Sequence, residues 1–199
     1  MRIRHLLFPL LLLVTPAMAG DFTCEGAFAP DTSEARLIEI YGTENVWTGI
    51  VPGPEGTEML ATRVHPDSPK RMLEFVWWDE ENREGLSYVQ LPAKMSGPGG
   101  VRTGMSVAEV ETLNGEPFTL SGFGWDYGGY AGFESGALSN LAGGCNLSLR
   151  FGPADYPPGL DVDSIIGDQT VQSTNPLLAE VEARVESVAI GYPHPDFRD

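Results

Sequence analysis

Ser33-Glu34-Ala35-Arg36-Leu37-Ile38-Glu39-Ile40-Tyr41-Gly42 and Ser106-Val107-Ala108-Glu109-Val110-Glu111-Thr112-Leu113-Asn114-Gly115 are one pattern written twice, 73 residues apart. Serine opens each copy, alanine stands third, aliphatics stand fifth and eighth, and glycine closes. A second correspondence follows at an offset of 74, where Leu73, Phe75 and Trp77 match Leu147, Leu149 and Phe151. Self-similarity at a fixed period points to a repeated structural unit.

Each copy reads as a helix followed by strands. The first helix spans Thr32 to Tyr41, with Leu37, Ile38, Ile40 and Tyr41 on its apolar side and Gly42 as its stop. Strand-like runs follow at Asn45–Val51, Glu58–Val64, Arg71–Trp78 and Leu86–Leu91, with Leu73, Phe75 and Trp77 alternating as on a strand with one buried face. The stretch from Pro92 to Gly100 reads as a linker. In the second copy Ser106 and Glu109 form a capping box, Val107, Val110 and Leu113 line the helix, and Pro117 prevents its resumption after Gly115. Cys145–Phe151 and Arg184–Tyr192 read as strands, the latter with Val188, Ile190 and Tyr192 on one face, and Asn175-Pro176 opens a short helix to Glu182. The expected fold is α+β: two tandem modules, each a helix packed on an antiparallel β-meander. The expected boundaries are 1–19 for a leader, 20–95 for the first repeat and 96–199 for the second repeat with its C-terminal strand.

The leader reads as an export signal. Arg2 and Arg4 precede an apolar run from Leu6 to Val14, and Ala17-Met18-Ala19 is a small-x-small cleavage site. The run is far short of the ~20 residues that span a bilayer. Cleavage after Ala19 places the protein in the periplasm or outside the cell, with no membrane span and no lipid anchor, since Cys24 lies five residues past the cut. The whole chain carries a net charge of −16. Removing Arg2 and Arg4 with the leader leaves 10 cations against 28 acids, a net −18. Such a chain is repelled by phosphate backbones and anionic lipid. Nucleic acid is therefore excluded as a partner, and a basic protein surface is favoured.

Two cysteines in an exported chain, Cys24 and Cys145, are expected to form one disulfide. Neither has a histidine or second cysteine at ligand spacing. Catalytic signatures are missing: His65 and His194 sit in proline-flanked turns without a nucleophile motif, and no HExxH, phosphate loop or dinucleotide fingerprint occurs. No cofactor is implied. Asp161, Asp163 and Asp168 offer hard oxygen ligands at alternating positions, but without the full calcium-loop pattern.

The most suggestive stretch is Phe118 to Tyr130. Phe123, Trp125 and Tyr127 alternate and are expected on one side of a strand. Gly128-Gly129 reads as a two-residue hairpin turn that sets Tyr127 against Tyr130. The candidate binding residues are Phe123, Trp125, Asp126, Tyr127 and Tyr130, because aromatic side chains dominate interface hot spots. The same rings could instead pack under the helix as core.

Gly104-Met105-Ser106-Val107-Ala108-Glu109-Val110, then Asn114-Gly115-Glu116-Pro117, then Phe123-Gly124-Trp125-Asp126-Tyr127 resemble a known module. It is shared by β-lactamase inhibitor proteins and the small lipoprotein of the outer-membrane β-barrel assembly machine. There a Gly-Met-Ser/Thr turn starts a helix, Leu-Gly-x-Pro ends it, and an aromatic-rich Trp-x-Tyr strand follows. The resemblance covers most of residues 31 to 151. This chain departs from it with Asn114 where leucine is frequent, and it has no lipid-bearing cysteine. The resemblance implies a non-enzymatic protein-binding module, inhibitor-like or envelope-assembly-like, that takes another exported protein. Small-ligand or glycan binding on the aromatic face, and an envelope hydrolase with an unrecognised carboxylate site, are the alternatives. Thiol titration of oxidised, denatured protein is expected to find no free thiol, and two free thiols would rule out the Cys24–Cys145 bond.

Overall fold

The computed structural model describes residues 23–198, so the expected leader lies outside them. The first half runs α1 (Glu34–Tyr41), β1 (Val46–Pro52), β2 (Glu58–Val64), β3 (Leu73–Asp79) and β4 (Glu84–Gln90). The second half runs α2 (Val107–Asn114), β5 (Thr119–Ser121), β6 (Ala131–Gly132), β7 (Asn146–Gly152), β8 (Thr170–Gln172), α3 (Leu177–Glu180) and β9 (Arg184–Gly191). Helices and antiparallel sheets together make the fold α+β.

Both repeated stretches are helices, each opened by a serine N-cap and closed by a glycine of positive φ. Ser33 accepts from the Arg36 backbone N–H at the start of α1. Ser106 does the same for Glu109, whose carboxylate returns to the Ser106 backbone N–H and closes the capping box. Gly42 and Gly115 end the two helices with φ of 86° and 76°, a region that costs a residue with a Cβ. Each N-cap also touches the first residue of the last strand in its half: Ser33 bridges Glu84, and Ser106 bridges Arg184.

The strands fall into two sheets. Six make the order β1-β2-β3-β4-β9-β7, and three make β6-β5-β8. The first half is a four-stranded meander. The second half differs from a simple meander, because β7 and β9 join the large sheet while β5, β6 and β8 form the small one. Register breaks at two places: between Val76 and Trp77 in the β3–β4 pair, and between Arg150 and Phe151 in the β7–β9 pair. The two bulges lie 74 residues apart, the offset at which Phe75 and Trp77 match Leu149 and Phe151.

One buried cluster crosses both halves and includes Leu37 of α1, Phe75 of β3, Val110 of α2, Leu149 of β7 and Ile190 of β9. Leu120 and Val171 bring the small sheet into the same cluster. Cys24 and Cys145 are joined, with their Cα atoms 6.0 Å apart across 121 residues of sequence. In the chain-entropy picture a loop of that length stabilises the fold by about 4–5 kcal/mol. Among the described residues no helix is long and apolar enough to cross a membrane.

Asn114 shows why α2 ends without leucine. The side chain is 2% exposed. Its amide donates to the carbonyls of Glu116 and Ser135 at 2.8 and 3.0 Å and accepts from the Leu138 N–H at 2.9 Å. It thus staples the loop after β6 to the helix end. Asn114→Leu is expected to lower stability by roughly 1–3 kcal/mol, because the buried Leu138 N–H loses its acceptor. A fall in the urea midpoint checks this, with exposed Asn140→Ala as an unchanged control.

Candidate binding face

Directly paired residues of antiparallel strands point to the same side. Thr62 pairs with Phe75, and Val64 with Leu73, and these face the core. The next pairs face away from it. Trp47 stands opposite Arg63, Arg63 opposite Glu74, and Glu74 opposite Gln90. One row further along the strands, Ala61 stands opposite Val76, and Val76 opposite Tyr88. Ala189 and Ser148 continue the face on β9 and β7. No helix in the described residues packs a buried side into this second cluster; it consists of Val51, Ala61 and Val76, flanked by Met59 and Tyr88.

The turn between β1 and β2, which carries Glu55, and the loop beside β7, which carries Tyr127, come near enough that the Glu55 carboxylate raises the Tyr127 pKa. The uncovered face between these two ends is the hollow of the large sheet. At one end Arg63 lies over the Trp47 ring at 5.6 Å and pairs with Glu74 at 2.6 Å. At the other end Arg150 lies over the Tyr130 ring at 5.5 Å, and its Nε donates to the Gly128 carbonyl at 3.0 Å. Tyr88 stands between, its hydroxyl 3.6 Å from the Met59 sulfur. Burial pushes the Tyr88 phenol above its ordinary pKa, and the charges of Glu74 and Tyr130 add to the effect.

The structure corrects the reading of residues 122–130. They do not form a strand, and the hairpin does not turn on Gly128-Gly129. The turn instead spans Gly122 to Gly129, with β5 and β6 as its arms. Ser121 exchanges backbone hydrogen bonds with Gly129 and Tyr130, so Tyr130 faces Ser121 rather than Tyr127. The cause is a close approach of backbones. Gly129 also accepts from the Phe151 N–H at 2.8 Å, and a Cβ on Gly129 would collide with the Phe151 carbonyl. Gly122 is similarly pressed against the Gly167 carbonyl. These contacts take the glycines out of a regular ladder.

The aromatics therefore separate instead of sharing a side. Phe123 is core, 3% exposed. Trp125 is half-buried, its indole N–H held by the Gly122 carbonyl at 2.9 Å and its ring edge-on to Tyr127 at 5.5 Å. Asp126 is exposed. Tyr127 and Tyr130 are 48% and 41% exposed. Four of the five candidate residues thus remain near the surface, and Tyr130 borders the hollow through its bridge to Arg150. The reading of the sequence missed Trp47, Arg63, Glu74 and Tyr88.

His65 and His194 lie apart from this face, on turns. His194 stands edge-on to Trp78 at 5.1 Å and 3.5 Å from Asp196. Asp161 accepts from the Asp163 N–H at 3.1 Å. No group of three or more potential ligands among the described residues could hold a metal ion. Compared with known protein families, with curated proteins and with solved structures, the chain has no match.

The Glu55 contact raises the Tyr127 pKa above its ordinary value, because the carboxylate favours the protonated phenol. Glu55→Gln is expected to bring that ionisation back toward the ordinary tyrosine range. Ultraviolet titration of phenolate formation, with Tyr127→Phe to assign the transition, reads the change.

Proposed function

We propose that this chain is an exported, non-enzymatic protein-binding module of the bacterial periplasm, built as a tandem of two α+β units, residues 20–95 and 96–199. It holds another exported protein in the hollow of the large sheet. The observation that carries the reading is the pair of exposed tyrosines, Tyr127 and Tyr130, at the rim of that hollow. Aromatic rings of this kind give large contact area at low entropic cost. The hollow is polar at its ends and apolar in its middle, an interface pattern of apolar centre and polar rim. The sequence net charge of −16 favours a partner with a basic surface.

The tandem reading is supported by two capped helices, by N-cap bridges to Glu84 and Arg184, and by two bulges 74 residues apart. It accords with the resemblance of residues 31 to 151 to the inhibitor and assembly-lipoprotein module. Export accords with the disulfide, since such bonds persist in oxidising compartments.

Crosslinked capture from periplasm with the oxidised protein tests the reading. A protein partner is expected whose binding falls by ~2 kcal/mol or more in Tyr127→Ala or Tyr130→Ala. Circular dichroism must show both variants folded. Capture of no protein, together with turnover of a cell-wall substrate by the purified chain, would sink the reading. Folded variants that bind as before would move the site away from the tyrosine rim.

A further inference from the structure

Beside the end of β2, the fold collects cations that the sequence otherwise uses sparingly. Lys70 and Lys94 are the only lysines in 199 residues. Both line one recess of about 300 Å³, together with His65 and Arg71. Its apolar walls include Tyr41 from the end of α1, Leu73 from the start of β3, and Met95 from the segment after β4. Among the described residues neither lysine has a carboxylate within ion-pairing distance. The recess is thus a local cluster of positive charge in a chain of net charge −16, and an anion placed in it is attracted by all three basic side chains.

The centre of the recess is fixed by an ordered chain of hydrogen bonds. The Asn45 amide donates to the Tyr41 carbonyl at 2.8 Å and to Glu44 at 3.1 Å, which leaves its oxygen as an acceptor. His65 Nδ1 lies 3.2 Å from that oxygen and so carries the proton. His65 Nε2, 2.8 Å from an Arg71 amino group, can then only accept, since a guanidinium only donates. The ring is neutral in this arrangement, and burial and the Arg71 charge both lower its pKa. His65 is held with φ of 55°, a conformation that is costly for a residue with a side chain. The imidazole thus anchors Arg71 by one amino group, and the rest of that guanidinium has no protein partner among the described residues.

We propose that this recess binds a small amphiphilic anion. Its carboxylate or phosphate head is held by Lys70, Arg71 and Lys94, and a short apolar body lies against Tyr41, Leu73 and Met95. A fixed fork beside two point charges suits either head group. The site shares no residue with the hollow, so it stands or falls separately from the protein-binding reading.

Calorimetric titration of the full oxidised protein tests this with octanoate, octyl phosphate and uncharged octanol. One anion per chain is expected, with octanol at least tenfold weaker and with affinity falling as salt is added. The double variant Lys70→Ala/Lys94→Ala should bind at least tenfold more weakly at an unchanged thermal midpoint, while Lys70→Arg/Lys94→Arg keeps binding. The His65 imidazole resonances should shift on titration. The stronger of octanoate and octyl phosphate identifies the head group. Octanol binding as well as octanoate, an undiminished affinity in the double alanine variant, or no binding of either anion overturns the proposal.

Discussion

The pairing of β4 with β9 is the contact on which the rest of the structure depends. Three residue pairs make it: Tyr88 with Gly191, Val89 with Ile190, and Gln90 with Ala189. On one side hang all strands of the first half, and on the other hangs β7. Extra bonds reinforce the short ladder. The Leu91 N–H and the Gln90 amide both reach the Val188 carbonyl, at 2.9 and 3.0 Å. Gly191 permits the close approach, because a Cβ there would strike the Ser87 carbonyl. The Tyr192 N–H then bonds that same carbonyl at 2.9 Å.

Tyr192 carries the constraint further. Its hydroxyl reaches the carbonyls of Cys24 and Phe28 at 3.1 and 2.9 Å, and Cys24 is tied covalently to Cys145. The segment before α1 is thus pinned by one strand of each kind: the last in the chain through hydrogen bonds, and the approach to β7 through sulfur. The half-buried Phe28 ring, stacked on buried Phe75 at 5.9 Å, completes the closure. The same two strands supply Tyr88, Gln90 and Ala189 to the opposite face.

Legibility in the sequence followed local chemistry. α2 could be read because Ser106, Glu109 and Gly115 each perform their function within the helix itself, and the structure places them as read. β2 was read with its observed limits, and β3 was legible because Leu73, Phe75 and Trp77 keep their alternation up to the bulge. The open face was not legible, and β4 shows why. Trp77 pairs with Leu86 but Val76 pairs with Tyr88, so Ser87 is an extra residue. A bulge of this kind shifts the alternation. Leu86 and Val89 therefore both enter the core, and Tyr88 turns to the hollow. Simple alternation would have kept Leu86 and Tyr88 together. Residues 122–130 misled for a different reason: the conformations of Gly122 and Gly129 are set by carbonyls of residues 167 and 151, distant in sequence.

The strand order has a bearing on how the molecule comes into being. A polypeptide made or threaded from its N-terminus can pair β1 through β4 as neighbours along the chain. β7 appears next in the large sheet, but among the described residues its only strand neighbour there is β9, which begins at Arg184. Until β9 arrives, β4 and β7 both present vacant edges, and open edges invite pairing with the wrong chain. Completion of the sheet thus waits until Arg184–Gly191 has been made or has passed through, and it comes as insertion of one strand between two waiting ones. Such late, long-range closure is intrinsically slow. The fold therefore places its greatest exposure to misassembly in the interval between the making of β4 and the arrival of β9.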